Sequence, residues 1–397
     1  DSIVLSQSAI SPINIALIKY WGKVEDTLII PLNSSLSLTL NTDDLATRTT
    51  VYLSKDFSQN TLVLKDHPSE FSKRLERMHE VIRSKIPEDG ITVGDAKLSK
   101  QDLLEMKAKV VTENDFPTAS GLASSSSGLA CLALCLSKAY GCDMGMEEIS
   151  RLARLGSGSA CRSLFGGFVL WDRGFEDFKE LEHDLESVDN KSRAVQVRDE
   201  LFWPDIACVI FVANDKKKET SSTDGMKTSV ETSEFLKIRE KVVVPKHLEE
   251  IKEAIETKNW PKMCEIIMKE SNSLHAVCLD TFPPIFYMNE TTKSIISLVH
   301  ELNKLHSEPV GAYTVDAGAN CFMITKKAYV DTLVKLMADL SHLNEDVINK
   351  YDFGTFPESE RFDIDSQKAD LLREQFKDKI ELKRIIVTSI GGGVKLV

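Results

Sequence analysis

Glu113-Asn-Asp-Phe-Pro-Thr-Ala-Ser-Gly-Leu-Ala-Ser-Ser-Ser-Ser-Gly128 is the stretch whose reading decides the fold. Pro117 and Gly121 punctuate a tight loop, and Ser124 to Ser127 stand where a helix begins. Leu129, Leu132, Ala133 and Leu136 then recur at helical spacing. A loop of small residues entering a helix leaves backbone N–H groups free at the positive end of the helix dipole. Such an end binds phosphate, and a hydroxyl placed there can ligate Mg²⁺. A Ser-rich N-cap on an ordinary helix reads the same run equally well.

Around this run the chain alternates strand and helix signals. Residues 3–53 read as strands separated by turns such as Pro31-Leu32-Asn33, and 107–112 reads as the strand feeding the serine loop. Leu75, Met78, Val81 and Ile82 mark a helix with a basic face over 71–85. The acid-rich residues 173–192 read as a solvated loop or linker, which places a boundary between halves 1–192 and 193–397. In the second half, strands are expected at 206–213, 310–315, 320–325 and 384–389. Stripped of extra helices, this is a β-α-β-β-α-β, ferredoxin-like plan. The fold class expected is α+β in two parts, with the site in the cleft between them.

Composition narrows the function. With 397 residues, 42% hydrophobic and 28% charged, the chain can bury a sizeable core. A net charge of −12 argues against nucleic acid as a main partner. An anionic small molecule then has to be met in a local basic pocket. The eight cysteines contain no C-x-x-C pair, so free thiols in a reducing compartment are expected over disulfides or a zinc site. No apolar run is long enough to cross a bilayer and no signal peptide is visible, so the expected location is the cytoplasm. Neither a G-x-x-x-x-G-K-[ST] nor a helix-opening G-x-G-x-x-G is present.

Four further segments carry chemistry. Asn14 to Lys23 sets Lys19, Tyr20 and Lys23 in an apolar stretch, where a lysine can neutralise phosphate or sit on a strand edge. Gly156 to Gly167 crowds small residues around Arg162, a candidate bidentate clamp for carboxylate or phosphate; an exposed Arg on a turn is the plain alternative. Asp316 heads a turn between two short strands, as an Asx cap or as a base for a hydroxyl. Lys216 to Met226 brings cations and hydroxyls that suit phosphate, or form a solvated loop. His275 reads as a packed helix residue.

Five segments together resemble the mevalonate diphosphate decarboxylase family, within the superfamily of galactose, homoserine, mevalonate and phosphomevalonate kinases. They are Asn14–Lys23, Phe116–Ser125, Gly156–Gly167, Asp280–Met288 and Ala312–Gly318, spread over the chain in family order. The resemblance implies a kinase-like two-part fold, with a left-handed β-α-β unit carrying the phosphate loop and a ferredoxin-like half after it. It implies ATP and Mg²⁺ as cofactors, mevalonate 5-diphosphate as substrate and a homodimer. The implied reaction phosphorylates the 3-hydroxyl, then loses phosphate and CO₂ to give isopentenyl diphosphate. Asp316, Arg162, Lys19 and Ser125 match the family's catalytic positions. Tyr20, Lys23, Ser157 and Ser159, with Arg162 and Ser222, match its substrate-binding ones. Asn114, Pro117, Ser120, Gly121, Leu122, Ala123, Ser124 and Ser125 fall in the ATP loop, with Ser125 at the metal. One basic residue from the helix near 70–80 is also implied, and Lys73, Arg74 and Arg77 compete for it; Arg74 is the choice made here.

Ala319 and Ser120 depart from the family's usual residues without changing size much. The tail Gly391–Val397 does not match, and is read as flexible. A related small-molecule kinase, a mevalonate 5-phosphate decarboxylase and a non-catalytic sensor on the same fold remain as rivals.

Overall fold

The computed structural model describes residues 3–64, 67–115, 124–213 and 218–397. The serine run does open a helix, Ser124–Ala139, directly after the strand Lys107–Asn114 and its loop. This helix lies on a six-stranded sheet of order Lys395–Leu396, Leu5–Pro12, Ala46–Ser54, Lys107–Asn114, Thr61–Leu64 and His67–Glu70. Alternate residues of these strands point inward, as a half-covered sheet requires. Leu5, Val51, Leu53 and Val110 meet Ala130, Leu132 and Leu136 of the serine helix in one core. Leu75, Met78 and Ile82 of the helix Lys73–Arg83 close it from the other side.

A second sheet orders Ala194–Arg198, Phe168–Trp171, Ser35–Thr39 and Asn14–Ile18. Its strands Phe168–Trp171, Ser35–Thr39 and Asn14–Ile18 are fully buried, packed in part against a third sheet. That third sheet is wholly antiparallel, ordered Gly311–Val315, Cys321–Lys326, Ile206–Val212 and Arg384–Ser389. Numbered along the chain its strands run 2-3-1-4, the ferredoxin-like arrangement expected from the sequence. Ile15, Leu17, Leu38 and Phe168 of the second sheet pack with Cys208, Ile210, Ile324 and Ile386 of the third in one apolar cluster. The two halves are therefore joined by a shared core.

Two expectations need correction. Residues 173–192 are no linker: Asp177 and Glu180 form a capping box that starts the helix Phe178–His183, and Leu185–Lys191 follows. Asp189, one of the acids read as solvated, is buried against Arg151 (2.6 Å) and Arg154. The C-terminal tail is also ordered. Lys395 and Leu396 pair with Ile10 and Ala9, and Gly391 exchanges backbone bonds with Thr39 and Gly167, each 2.9 Å. Glycine makes this return path possible. A Cβ on Gly391 would sit 2.5 Å from the Asn41 Cα, and one on Gly393 2.4 Å from the Leu164 carbonyl oxygen. The strand Ala194–Arg198 and the tail both extend N-terminal sheets, so the chain crosses the 192/193 division twice more.

All eight cysteines are buried and free. No helix among the described residues is long and apolar enough to cross a membrane.

Candidate active site at the seam of the two halves

Asn14–Ile18 is a fully buried strand whose pairing slips between Ala16 and Ile18. Such an irregularity re-aims the residues that follow, and Lys19 leaves the strand here. Opposite it, Gly311–Val315 and Cys321–Lys326 pair as a hairpin, and Asp316 heads their connection. The Gly318 N–H closes the turn on the Asp316 carbonyl at 2.8 Å. The two elements meet across the seam, where Lys19 Nζ donates to Asp316 Oδ1 at 2.5 Å. The partners differ in environment: the lysine side chain is 1% exposed and the aspartate 45%. Burial pulls the Lys19 ammonium below its ordinary value, and Asp316 and Glu270 work against that pull. Asp316 is thus half-exposed with a buried cation fixed behind it.

Arg162 sits on the short 3₁₀ turn Gly158–Leu164 and is 3% exposed, so the exposed-turn alternative fails. Its Nε donates to Asn14 Oδ1 at 3.2 Å and its Nη1 to Ser35 Oγ at 2.6 Å, while the guanidinium lies 5.8 Å from the Trp171 ring centre. Burial works against its charge, and among the described residues no carboxylate forms an ion pair with it. The turn can lie this close because residue 158 has no side chain: a Cβ there would approach Trp171 to 2.5 Å and Tyr20 to 3.2 Å.

Tyr20 packs on Trp171 with ring centres 4.6 Å apart, and its buried hydroxyl has no hydrogen-bond partner among the described residues. Burial pushes that phenol well above its ordinary value, and the charges of Arg162 and Arg74 oppose the push. The three candidates on the helix Lys73–Arg83 differ in surroundings: Arg74 is half-buried with its charge near enough to oppose that push, Arg77 donates to the Thr27 carbonyl at 2.6 Å, and Lys73 is exposed. Ser159 joins the ensemble through its hydroxyl contact with Ser126 and its carbonyl, which accepts from Asn14 Nδ2 at 3.3 Å. The serine helix and the Arg162 turn are thereby tied together. Ser127 is held by Thr47 at 2.5 Å, and Asn114 Oδ1 accepts from the same Thr47 hydroxyl at 2.7 Å.

Other expected residues are placed more loosely. Ser157 caps the helix Met146–Gly156 and is half-buried. Lys23 pairs with Asp26 at 3.1 Å, and Ser222 starts the helix Ser222–Thr232. No hydrogen bond among the described residues ties Lys23 or Ser222 to Lys19 or Asp316. Pro117, Ser120, Gly121, Leu122 and Ala123 lie outside the described residues, as do Lys216 and Lys217; Ser124 and Ser125 are placed by their backbone, in the first turn of the serine helix. His275 is packed as expected, with Nε2 3.2 Å from the Val315 carbonyl oxygen, and burial holds it down to about 4.

The segment Lys216 to Met226, read as suiting phosphate or as a solvated loop, places Lys218 on the Asp316 turn, where it donates to the Ala317 carbonyl at 2.7 Å. Sequence reasoning missed Arg239 and Glu270, which form a buried pair behind Lys19 at 2.6 Å. The signal for Glu270 was available: it shares a helical face with Ile266, Ile267 and Leu274, all buried, and an acid there needs a partner.

Comparison with known proteins matches family models over most of the chain. A family model for the diphosphomevalonate decarboxylase-like N-terminal domain matches residues 11–182, and one for the mevalonate 5-diphosphate decarboxylase C-terminal domain matches 208–397. The diphosphomevalonate decarboxylase of Saccharomyces cerevisiae is 39% identical over 393 residues, covering 98% of this chain and 95% of its own. The chain belongs to the mevalonate diphosphate decarboxylase family. Among solved structures, the family member from Trypanosoma brucei superposes with a TM-score of 0.83 at 32% identity, covering 99% of this chain and 98% of that one. Another, described as MDDEF in complex with MVAPP, AMPPCP and magnesium, gives 0.74 at 30% identity over 100% and 99% of the two chains.

Proposed function

We propose that the seam between the halves catalyses ATP-dependent decarboxylation of mevalonate 5-diphosphate, with the roles divided as follows. The observation that carries this is a buried Arg162, ion-paired to no carboxylate among the described residues, placed near enough to the Lys19–Asp316 pair for the aspartate's charge to favour its own. A guanidinium held by neutral partners is open to a planar anion, and the substrate carboxylate is one. Asp316 accepts the proton of the 3-hydroxyl as its oxygen takes the γ-phosphoryl group of ATP. Lys19 orients that aspartate through its 2.5 Å hydrogen bond. In the second step the C3–O bond breaks with phosphate departing, and the C1–C2 electron pair becomes the C2–C3 double bond as CO₂ leaves. Arg162 fixes the carboxylate so that its bond to C2 aligns with the leaving phosphate. Arg74, Tyr20, Lys23, Ser157, Ser159 and Ser222 grip the diphosphate.

The serine helix fits phosphate and magnesium on its own chemistry, since free N–H groups at a helix start suit the first and a hydroxyl there suits the second. Asn114, the loop residues Pro117 and Ser120 to Ala123, and Ser124 with Ser125 hold ATP, and Ser125 holds magnesium together with the phosphates. When bound, magnesium neutralises charge on the phosphoryl group in transfer. The protein works as a homodimer in the cytoplasm. The family resemblance supports the first, and eight free buried thiols support a reducing compartment.

The test of substrate class compares mevalonate 5-diphosphate with the 5-phosphate. The diphosphate is expected to give a kcat/KM higher by roughly two orders of magnitude or more, because the cationic and hydroxyl groups at that end would be left unpaired by the shorter ligand. Equal values would overturn the diphosphate assignment.

A further inference from the structure

The Lys19 peptide is held from both sides by groups of the C-terminal half. Its N–H donates to Glu270 Oε2 at 3.1 Å. Its carbonyl accepts from Arg239 Nη2 and from Asn33 Nδ2, each at 3.0 Å. Arg239 also donates to Glu270 Oε2 at 2.6 Å and to Asn33 Oδ1 at 3.1 Å, and His247 Nδ1 lies 2.7 Å from Glu270 Oε1. Arg239 is 1% exposed and Glu270 0%. The backbone around Arg239 is a π-turn, Arg239–Val243, inserted between the helices Glu234–Ile238 and Val244–Glu256. Such turns are uncommon and recur at functional sites. Its neighbour Glu240 pairs with Arg173 of the N-terminal half at 2.6 Å.

A pair of hydrogen bonds to Lys19 needs no ion pair, and a buried ion pair is a poor source of stability against an apolar one. Glu270 is placed to do something a neutral acceptor cannot: its charge favours the ammonium of Lys19, which burial disfavours. Resting on the reading of Lys19 and Asp316 as groups of the reacting centre, we propose that Arg239 and Glu270 are positioning residues, which clamp the Lys19 peptide and keep its ammonium charged against Asp316. Arg239 supplies geometry, with one fork bridging the Lys19 carbonyl, Asn33 and Glu270. Glu270 supplies geometry and charge, and Arg239 and His247 keep it ionised despite its burial. The charged or titratable groups acting on Lys19 are Asp316, Glu270 and Arg162, with His275 and Cys321 nearby.

The test measures kcat, KM for ATP and the pH profile of kcat for Glu270→Gln, Arg239→Lys and the paired Arg239→Met/Glu270→Met variant, beside Asp316→Asn. Glu270→Gln keeps an acceptor for the Lys19 N–H and loses only charge. It should lower kcat by about tenfold or more with KM for ATP unchanged, and move the basic limb of the profile to lower pH, because the ammonium loses a supporting charge. Arg239→Lys keeps the charge and loses the fork. It should lower kcat by up to about 10²-fold with the limb unmoved. The Met/Met variant leaves no buried charge unpaired, so it folds where a single variant fails, and it should show both defects. A Met/Met enzyme with wild-type kcat and pH profile would overturn the proposal, as would a Glu270→Gln enzyme with an unmoved limb. Near wild-type turnover in Asp316→Asn would instead remove the reading beneath it.

Discussion

Three arginines are buried almost completely, and they are treated differently. Arg154 is 0% exposed and bonded to Asp189, and Arg239 is 1% exposed and bonded to Glu270. Arg162 is 3% exposed and, among the described residues, its hydrogen bonds go to neutral oxygens and its flat side to a ring. Leaving a guanidinium uncompensated in a dry site disfavours the fold by several kcal/mol, and arginine cannot escape by losing its proton. The first two arginines lock elements together. The third is kept charged, at some expense in stability, near the Lys19–Asp316 pair. A burial map alone would rank all three as structural; the identity of their partners separates them.

The largest effect that bears on this contrast is at the aspartate itself. Asp316→Asn should lower turnover by roughly 10³- to 10⁴-fold while nucleotide binding, read by fluorescence or calorimetry, persists. Turnover close to wild type would detach Asp316 from the chemistry and leave Arg162 without a neighbouring acid of consequence.

Arg162→Gln sharpens the comparison directly. Its turnover should fall by about 10²-fold or more with KM for ATP unchanged, and its unfolding free energy should equal or exceed that of wild type, because a buried charge is removed and no protein carboxylate loses its partner. Asp189→Asn should do the reverse. It strips Arg154 and Arg151 of their shared acid, so stability should fall by about 3 kcal/mol in urea unfolding, with kcat of the folded fraction intact. If Arg162→Gln destabilised the fold as much as Asp189→Asn, the distinction would collapse.

His79 gives the smallest effect and shows the option arginine lacks. It is buried in the helix Lys73–Arg83 with Nε2 2.7 Å from the Tyr140 hydroxyl, and burial holds it down to about 3. Its folded value lies below the unfolded one of about 6.5, so the unfolded chain binds the proton first. The stability it contributes is complete above about pH 6.5 and is lost as pH falls toward 3. Between pH 7 and pH 5 this amounts to about 2 kcal/mol, read as a drop in urea midpoint, and His79→Gln should flatten most of it. An unchanged slope in that variant would place the acid sensitivity elsewhere.

Much of this architecture was legible in the chain. The serine helix, the four strands of the ferredoxin-like half and the turn headed by Asp316 followed from small-residue runs and apolar periodicity, which are local signals. What stayed hidden depended on partners remote in sequence. Asp189 sits in an acid-rich run and reads as solvated until Arg151 and Arg154 are brought to it. Gly391–Gly393 read as a loose tail, whereas the missing side chains are what let the tail lie against Asn41 and Leu164. Arg162 was visible as a candidate, but its burial, which decides its meaning, depends on Trp171, Ser35 and Asn14 arriving from three other strands. Arg239 and Glu240 lie in a charged stretch that scans as an exposed helix, and only the π-turn directs both inward.

The most direct test of the account measures CO₂ from 1-¹⁴C-labelled mevalonate 5-diphosphate against ADP, with Mg²⁺ and ATP, in the wild-type protein. The account predicts equal amounts of the two products throughout the time course, because the phosphorylated intermediate is held with its carboxylate on Arg162 until it breaks down. ADP accumulating without CO₂ would contradict it, and would make the seam a kinase site in which Arg162 holds no departing carboxylate.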